Sequence, residues 1–334
     1  MTLAIEAEEL TRDFAGGVRA LDGVTFAVDE GEIFGYLGRN GAGKSTTVRI
    51  LTTLLRATSG RAAVLGHDVR TDAGAVRKVF GAALQDAALD ELMTGREHLE
   101  MAGRLVGLGK TKAKERAAEL LESFGLKAAA DRIAAGYSGG MRRRLDVAMA
   151  MVRRPQVLFL DEPTTGLDPQ GRRAVWELVK ELRDGGSTVF LTTQYLAEAD
   201  ELASRVAVVH DGRIAAIGTS KELKDRLGTT TIRLKVAPED HRRIRDAVHP
   251  DPVAEDDGWS EVTVLGGEAA VPSVMARLVG AGVNIDGLAI CPPSLEDVFV
   301  ELTGTEIEAS AGGTDVGKIT AVRRGLGVPT GPGR

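Results

Sequence analysis

Residues 33–45 read IFGYLGRNGAGKS: a short apolar run breaks directly into Gly38-Arg39-Asn40-Gly41-Ala42-Gly43-Lys44-Ser45. That eight-residue pattern, G-x-x-x-x-G-K-[ST], leaves a chain little choice of local fold. The glycines let consecutive backbone N–H groups curve around phosphate oxygens, and the helix that follows turns its positive end toward the same anion. The apolar spacing of Val48, Leu51, Leu54 and Leu55 predicts a helix over 44–55. The Lys44 ammonium is expected to reach the β- and γ-phosphates, and the Ser45 hydroxyl to hold the Mg²⁺ that bridges them, with Thr46 beside it. Used only as a tight turn, such a pattern would not need the lysine or the serine.

A phosphate loop of this kind needs a carboxylate at the end of a buried strand, and VLFLDE supplies it. Asp161 is expected to hold Mg²⁺ through water, and Glu162 to polarise an attacking water. Two acids after an apolar strand could equally be a solvated turn; the loop upstream decides against that.

The remaining pattern is of one type up to Gly228 and of another beyond it. Residues 2–10 and 24–28 alternate as strands around a loop at Gly16–Gly17. The stretch from about 90 to 153 is mostly helical, and WELVKELRD is another helix. VLFL and TVFLTT are buried strands, and RVAVVHDGRIAAIG is a hairpin turning at Asp211–Gly212. This order predicts an α/β nucleotide-binding domain over 1–228, with a mixed sheet core, an antiparallel β subdomain and a helical insertion at about 86–153. Strands at 229–236, 260–265 and 283–290, helices at 239–248 and 272–281, and a closing helix in SLEDVFVELTG predict a small α+β domain of split βαβ character over 229–304. Residues 305–334 are rich in glycine and proline and are expected to be a disordered tail.

Composition sets the outer bounds. At ~150 residues per domain, 334 residues suggest two domains. With 43% hydrophobic residues the chain can bury a core without disulfides or structural metals, and a single cysteine, Cys291, fits a reducing compartment. No stretch approaches the ~18–20 apolar residues of a membrane span, and MTLAIEAEEL lacks the basic lead and apolar core of a secretory signal. A net charge of −6 disfavours nucleic acid as a partner.

Tyr137-Ser138-Gly139-Gly140-Met141 resembles the LSGGQ signature of ATP-binding-cassette ATPases, with Tyr for Leu and Met for Gln. Other elements of that family fall in order across residues 3–227. Gln85 fits the glutamine loop and would add a magnesium ligand. Thr164 to Asp168 (TTGLD) fits the loop after the magnesium carboxylate, and Phe14 fits the aromatic that stacks on adenine. Such stacking would accept GTP as well. The resemblance implies a homodimer packed head to tail, each ATP lying between the phosphate loop of one copy and Ser138, Gly139 and Gly140 of the other. TYSGGMRRRLD-like residues 136–146, LDEPTTGLDP, LTTQYLAEADELA and SLEDVFVELTG further resemble exporter ATPases of the daunorubicin/doxorubicin-resistance type.

That branch implies an ATPase subunit peripheral to the cytoplasmic face of the membrane, serving a separate integral permease and exporting a hydrophobic drug or natural product. The rival is a non-transport cassette ATPase acting as an ATP-gated regulator or scaffold. Two departures matter. Gln194 stands where most of the family carries a switch histidine; its amide can donate to a γ-phosphate oxygen but cannot take a proton, so slow hydrolysis dependent on Glu162 is expected. Arg39 stands where the family usually has proline, and is expected to point to solvent or to add charge near the nucleotide or the dimer face. Arg142 to Arg144 are expected to form a solvated or phosphate-proximal helix face.

Overall fold

In the computed structural model, which describes residues 2–85, 89–249, 251, 253–256 and 259–304, the apolar runs named above become the centre of a sheet. The chain divides into one unit over Met1–Ser220 and a second from Lys221 onward. The first opens with β1 (Leu3–Asp13) and β2 (Arg19–Asp29), paired antiparallel. β3 (Ile33–Gly38) ends on the first glycine of the phosphate loop, and α1 (Lys44–Leu51) starts on its lysine. β4 (Ser59–Val64) and β5 (His67–Asp68) return to β1 and complete a sheet of order β2-β1-β4-β5. After α2 (Ala73–Val79) and β6 (Phe80–Ala83) come three helices, α3 (Gly95–Leu105), α4 (Lys110–Ser123) and α5 (Gly139–Ala150). β7 (Val157–Asp161), α6 (Pro169–Asp184), β8 (Thr188–Thr193), α7 (Leu196–Leu202), β9 (Arg205–His210) and β10 (Arg213–Gly218) finish a six-stranded sheet of order β10-β9-β3-β8-β7-β6.

Every pairing in that second sheet is parallel except the β9–β10 hairpin, whose two turn residues, Asp211 and Gly212, both take positive φ. Two-residue hairpins need that conformation to match strand twist. A parallel sheet covered on both faces should carry continuous apolar strands, and β3, β7 and β8 are buried throughout. Their side chains alternate between two cores. Phe34, Tyr36, Phe159 and Phe190 join Phe26 of the antiparallel sheet, with ring centroids 5.4–5.8 Å apart. Ile33, Leu158, Leu160, Val189 and Leu191 face the core built with the helices. Each such side chain contributes about 1.5–3 kcal/mol by leaving water, which fixes the strand ends where the chemistry sits.

The helix expected over 44–55 stops at Leu51. Thr52 and Thr53 are poor helix formers; Thr53 takes φ 62°, the Leu54 and Leu55 N–H groups both donate back to Arg49 O, and Leu54 is 62% exposed. The periodic leucine at 54 was therefore a surface residue. β4 carries Gly60 at φ 84°, where a Cβ would lie 2.2 Å from Glu9 O.

α8 (Ser220–Asp225) leads to the second unit: β11 (Thr229–Val236), α9 (Asp240–Val248), β12 (Val253–Asp256), β13 (Trp259–Leu265), α10 (Val271–Gly280), β14 (Ile285–Cys291) and α11 (Leu295–Thr303). Its sheet, of order β12-β13-β11-β14, is antiparallel throughout. Ile232, Leu234, Val262 and Val264 of the sheet pack with Ile244 and Val248 of α9 and Val274 and Leu278 of α10. The topology is a split βαβ with one strand more than expected; four-residue β12 is too short to announce itself by periodicity. Residues 305–334, expected to form a tail, lie outside the described residues. Among the described residues no helix is long and apolar enough to cross a membrane.

Candidate nucleotide and magnesium site

β3, β8 and β7 are adjacent and parallel, with Leu37 level with Thr193 and Asp161 level with Thr192. Their carboxyl ends therefore set the phosphate loop, Gln194 and the Asp161–Glu162 pair side by side, where open parallel sheets bind ligands. The loop is held close to its backing: a Cβ on Gly43 would lie 2.5 Å from Ala20 O, and one on Gly38 would lie 2.6 Å from Val209 O. Thr47 N–H is bonded to Gly43 O at 3.0 Å. The preceding N–H groups, on Lys44, Ser45 and Thr46, are in the first turn and have no intrahelical acceptor. Arg39, Asn40 and Gly41 are exposed and Ala42 is buried.

The Lys44 ammonium donates to Gly38 O (2.9 Å) and Arg39 O (3.1 Å) and pairs with Glu162 Oε1 at 3.1 Å. Both side chains are almost fully buried, at 4% and 6% exposure, so the pair sits where Coulomb attraction is weakly screened. Asp161 accepts from Thr192 Oγ1 at 2.5 Å. Glu162 Oε2 accepts from Thr165 Oγ1 at 3.2 Å, and the Glu162 N–H donates to Thr192 O at 3.1 Å. The Glu162 backbone takes φ 48°, a left-handed conformation that costs a non-glycine residue on the order of 1–2 kcal/mol.

Ser45, Thr46 and Gln194 are half-buried; Gln85, two residues beyond β6, is exposed. Phe14 lies in the turn before β2, whose Ala20 and Leu21 back Gly43; the residue is 39% exposed and its ring carries the Arg12 guanidinium 4.6 Å from its centroid. The side chains expected to hold magnesium, Ser45, Asp161 and Gln85, carry oxygen donors of the kind that ion takes, and no group of three or more His, Cys, Asp or Glu among the described residues is placed to hold a metal alone. Magnesium is characteristically held by few protein oxygens together with phosphates and water.

Ser138 caps α5, its hydroxyl accepting from Met141 N–H at 3.3 Å. Asp168 caps α6 and accepts from Gly171 N–H at 2.7 Å. The two helix starts share an open groove of about 440 Å³ lined by Ser138, Gly139, Gly140, Arg144, Leu167 and Asp168 among others; no phosphate-loop residue lines it. Tyr137 is buried, and its hydroxyl donates to Ala129 O at 2.8 Å, which a leucine there could not do. Tyr137→Phe is expected to lower stability by about 1 kcal/mol in urea unfolding, the net worth of one such bond.

The expectation for Arg142–Arg144 needs correction. Arg142 is exposed, but Arg143 is buried and points into the protein. Its guanidinium donates to Leu84 O (2.9 Å), Ala83 O (3.4 Å), Asp161 O (3.0 Å) and Pro163 O (3.1 Å), and pairs with Asp146 at 2.7 Å. Burial pulls the guanidinium below its ordinary pKa and pushes Asp146 up to about 6. Glu198 was likewise unmarked. It is fully buried, accepts from Thr164 Oγ1 (2.8 Å) and Trp176 Nε1 (3.1 Å), and burial raises its pKa. It ties α7, which follows Gln194, to the stem of the TTGLD loop. Its spacing within α7 placed it on the buried face, the one available sequence signal.

A family model described as ABC transporter matches residues 21–165, and one described as ATP-binding protein DrrA1-3-like, C-terminal domain, matches residues 218–303. The chain is 45% identical over 311 residues to the daunorubicin/doxorubicin resistance ATP-binding protein DrrA of Streptomyces peucetius, covering 91% of this chain and 93% of that one. It is 35% identical to the linearmycin resistance ATP-binding protein LnrL of Bacillus subtilis, covering 90% and 98%. A solved ATP-binding subunit of an ABC transporter superposes with a TM-score of 0.60 at 30% identity, covering 67% of this chain and 93% of that chain.

Proposed function

The chain belongs to the ATP-binding-cassette transporter ATPases, in the branch of the daunorubicin- and doxorubicin-resistance proteins, and from that premise we propose that it is the ATP-hydrolysing subunit of an exporter, pairing with a second copy around two Mg-ATP to drive a separate membrane permease. The cargo class is a hydrophobic drug or natural product, and the subunit works at the cytoplasmic face of the membrane. The observation that carries the reading is the meeting of phosphate loop, Asp161–Glu162 and Gln194 at three neighbouring strand ends.

The N–H groups of the loop and of the first turn of α1 bind the phosphates, and Lys44 exchanges its carbonyl partners for phosphate oxygens. Ser45, Asp161 and Gln85 would hold magnesium, which would supply positive charge against the charge that builds on the phosphates. Glu162, held through Oε2 by Thr165, polarises the attacking water. Gln194 donates its amide to a γ-phosphate oxygen and leaves the proton to Glu162. Phe14 stacks on the base. Ser138, Gly139 and Gly140 act across the dimer, where the start of α5 presents N–H groups and dipole to the other copy's γ-phosphate.

Mixing two dead variants tests the shared site. Lys44→Ala removes a phosphate loop and Gly139→Asp puts a negative charge in a signature; each alone is expected to hydrolyse ATP at background rate. Their heterodimer holds one site with both halves intact, so the mixture should run at least tenfold faster than either alone. A mixture no faster than its components would refute a site completed in trans. Co-purification of the native chain with a multi-span partner would test the permease assignment separately.

A further inference from the structure

We propose that Arg143 is a positioning residue for hydrolysis: it clamps the turn that aims Glu162 and the strand end that precedes Gln85, without touching nucleotide. The inference rests on the reading of Glu162 as the group that polarises water, and it deepens that reading. Glu162 sits at φ 48° between two residues whose carbonyls, Asp161 O and Pro163 O, both accept from the Arg143 guanidinium at 3.0 and 3.1 Å. A strained conformation persists only where its surroundings over-determine it, and these two bonds hold the peptide group that enters Glu162 and the one that follows Pro163, bracketing the strained turn. The same guanidinium reaches Leu84 O, immediately before Gln85, at 2.9 Å and Ala83 O at 3.4 Å. β6 and β7 are neighbours in the sheet, and Arg143 binds them together at the ends that lead into the site.

Arg143 stands on α5, the helix capped by Ser138. One planar fork therefore joins the signature helix to the ends of both strands, and Asp146 on the same helix holds that fork in orientation at 2.7 Å. Arginine suits the position because its five donors lie in one plane. Lysine would keep the charge with three donors on a single nitrogen and could not span four carbonyls. A side chain whose job was only to fill space would not need a buried cation at all.

The test is kinetic. Arg143→Lys is expected to lower kcat at least tenfold while the ATP dissociation constant of the purified chain stays within about threefold. Asp146→Asn, which keeps the guanidinium but loosens its anchor, should lower kcat in the same direction by a smaller factor, and it serves if Arg143→Lys does not fold. In a Glu162→Gln background, single-turnover rates should be unchanged by Arg143→Lys, because there is no carboxylate left to aim. Equal losses in both backgrounds, or unchanged kcat in the single variants, would overturn the clamp. Should Glu162→Gln itself hydrolyse ATP normally, the underlying reading fails instead, and the two failures are told apart.

Discussion

Replacing Glu162 with glutamine should leave ATP affinity within about threefold of the native chain and cut turnover by at least ~100-fold, the lower end of what a positioned general base contributes. That factor corresponds to about 2.7 kcal/mol of lost transition-state stabilisation. The substitution is a clean one here. Glutamine has the same length and places the same demand on the φ 48° backbone, and its amide oxygen can still accept from Thr165. What it loses is the ability to draw a proton from water. It also removes the negative partner of Lys44 at 3.1 Å, which frees the ammonium for phosphate, so any change in affinity should be toward tighter binding. Equilibrium ATP titration alongside single-turnover hydrolysis separates the two effects. Turnover within threefold of native would mean that another group activates the water. Gln194 cannot accept a proton near neutral pH, and Asp161, the neighbouring carboxylate, is engaged by Thr192 and is the proposed magnesium ligand, which is why the expected loss is large.

The catalytic strand ends were legible in the sequence because each is announced by an abrupt change of chemistry. IFGYL runs into glycines and a lysine, VLFL into two acids, and TVFLTT into Gln194. Buried parallel strands are largely apolar, so the switch to glycine, charged or amide residues marks the strand's carboxyl end. Elements whose signal depends on length or on partners were not legible. β12 has four residues and β5 has two, and Leu54 kept helical spacing past the point where Thr52 and Thr53 ended the helix. Arg143 was hidden for a different reason. Three consecutive arginines on one helix point in three directions, and a linear sequence does not show which of them meets the carbonyls of Ala83, Leu84, Asp161 and Pro163. The same holds for Glu198, whose partners Thr164 and Trp176 come from a loop and a helix distant in the chain.

Alanine at Gly43 should abolish nucleotide binding, with affinity falling at least ~100-fold, whereas alanine at Gly41 should cost stability alone in the free chain, by about 1–2 kcal/mol. Both glycines take positive φ, 101° and 84°, so both substitutions carry the penalty of a left-handed side chain. Their surroundings differ. A Cβ on Gly41 meets nothing within 4 Å. One on Gly43 would fall 2.5 Å from Ala20 O and 2.7 Å from Leu21 Cδ2; Ala20 and Leu21 belong to β2, and its backbone cannot retreat without parting from β1. The loop must move instead, and it moves at the residue just before Lys44, whose N–H begins the anion-binding turn and whose ammonium lies between Gly38 O and Arg39 O. A shift of about 1 Å there takes N–H donors out of hydrogen-bond range of a phosphate, since these bonds weaken steeply with distance and angle. ATP titration and urea unfolding on both variants provide the comparison. If Gly43→Ala bound ATP as tightly as the native chain, the close backing of the loop by β2 would have no bearing on how this protein holds phosphate.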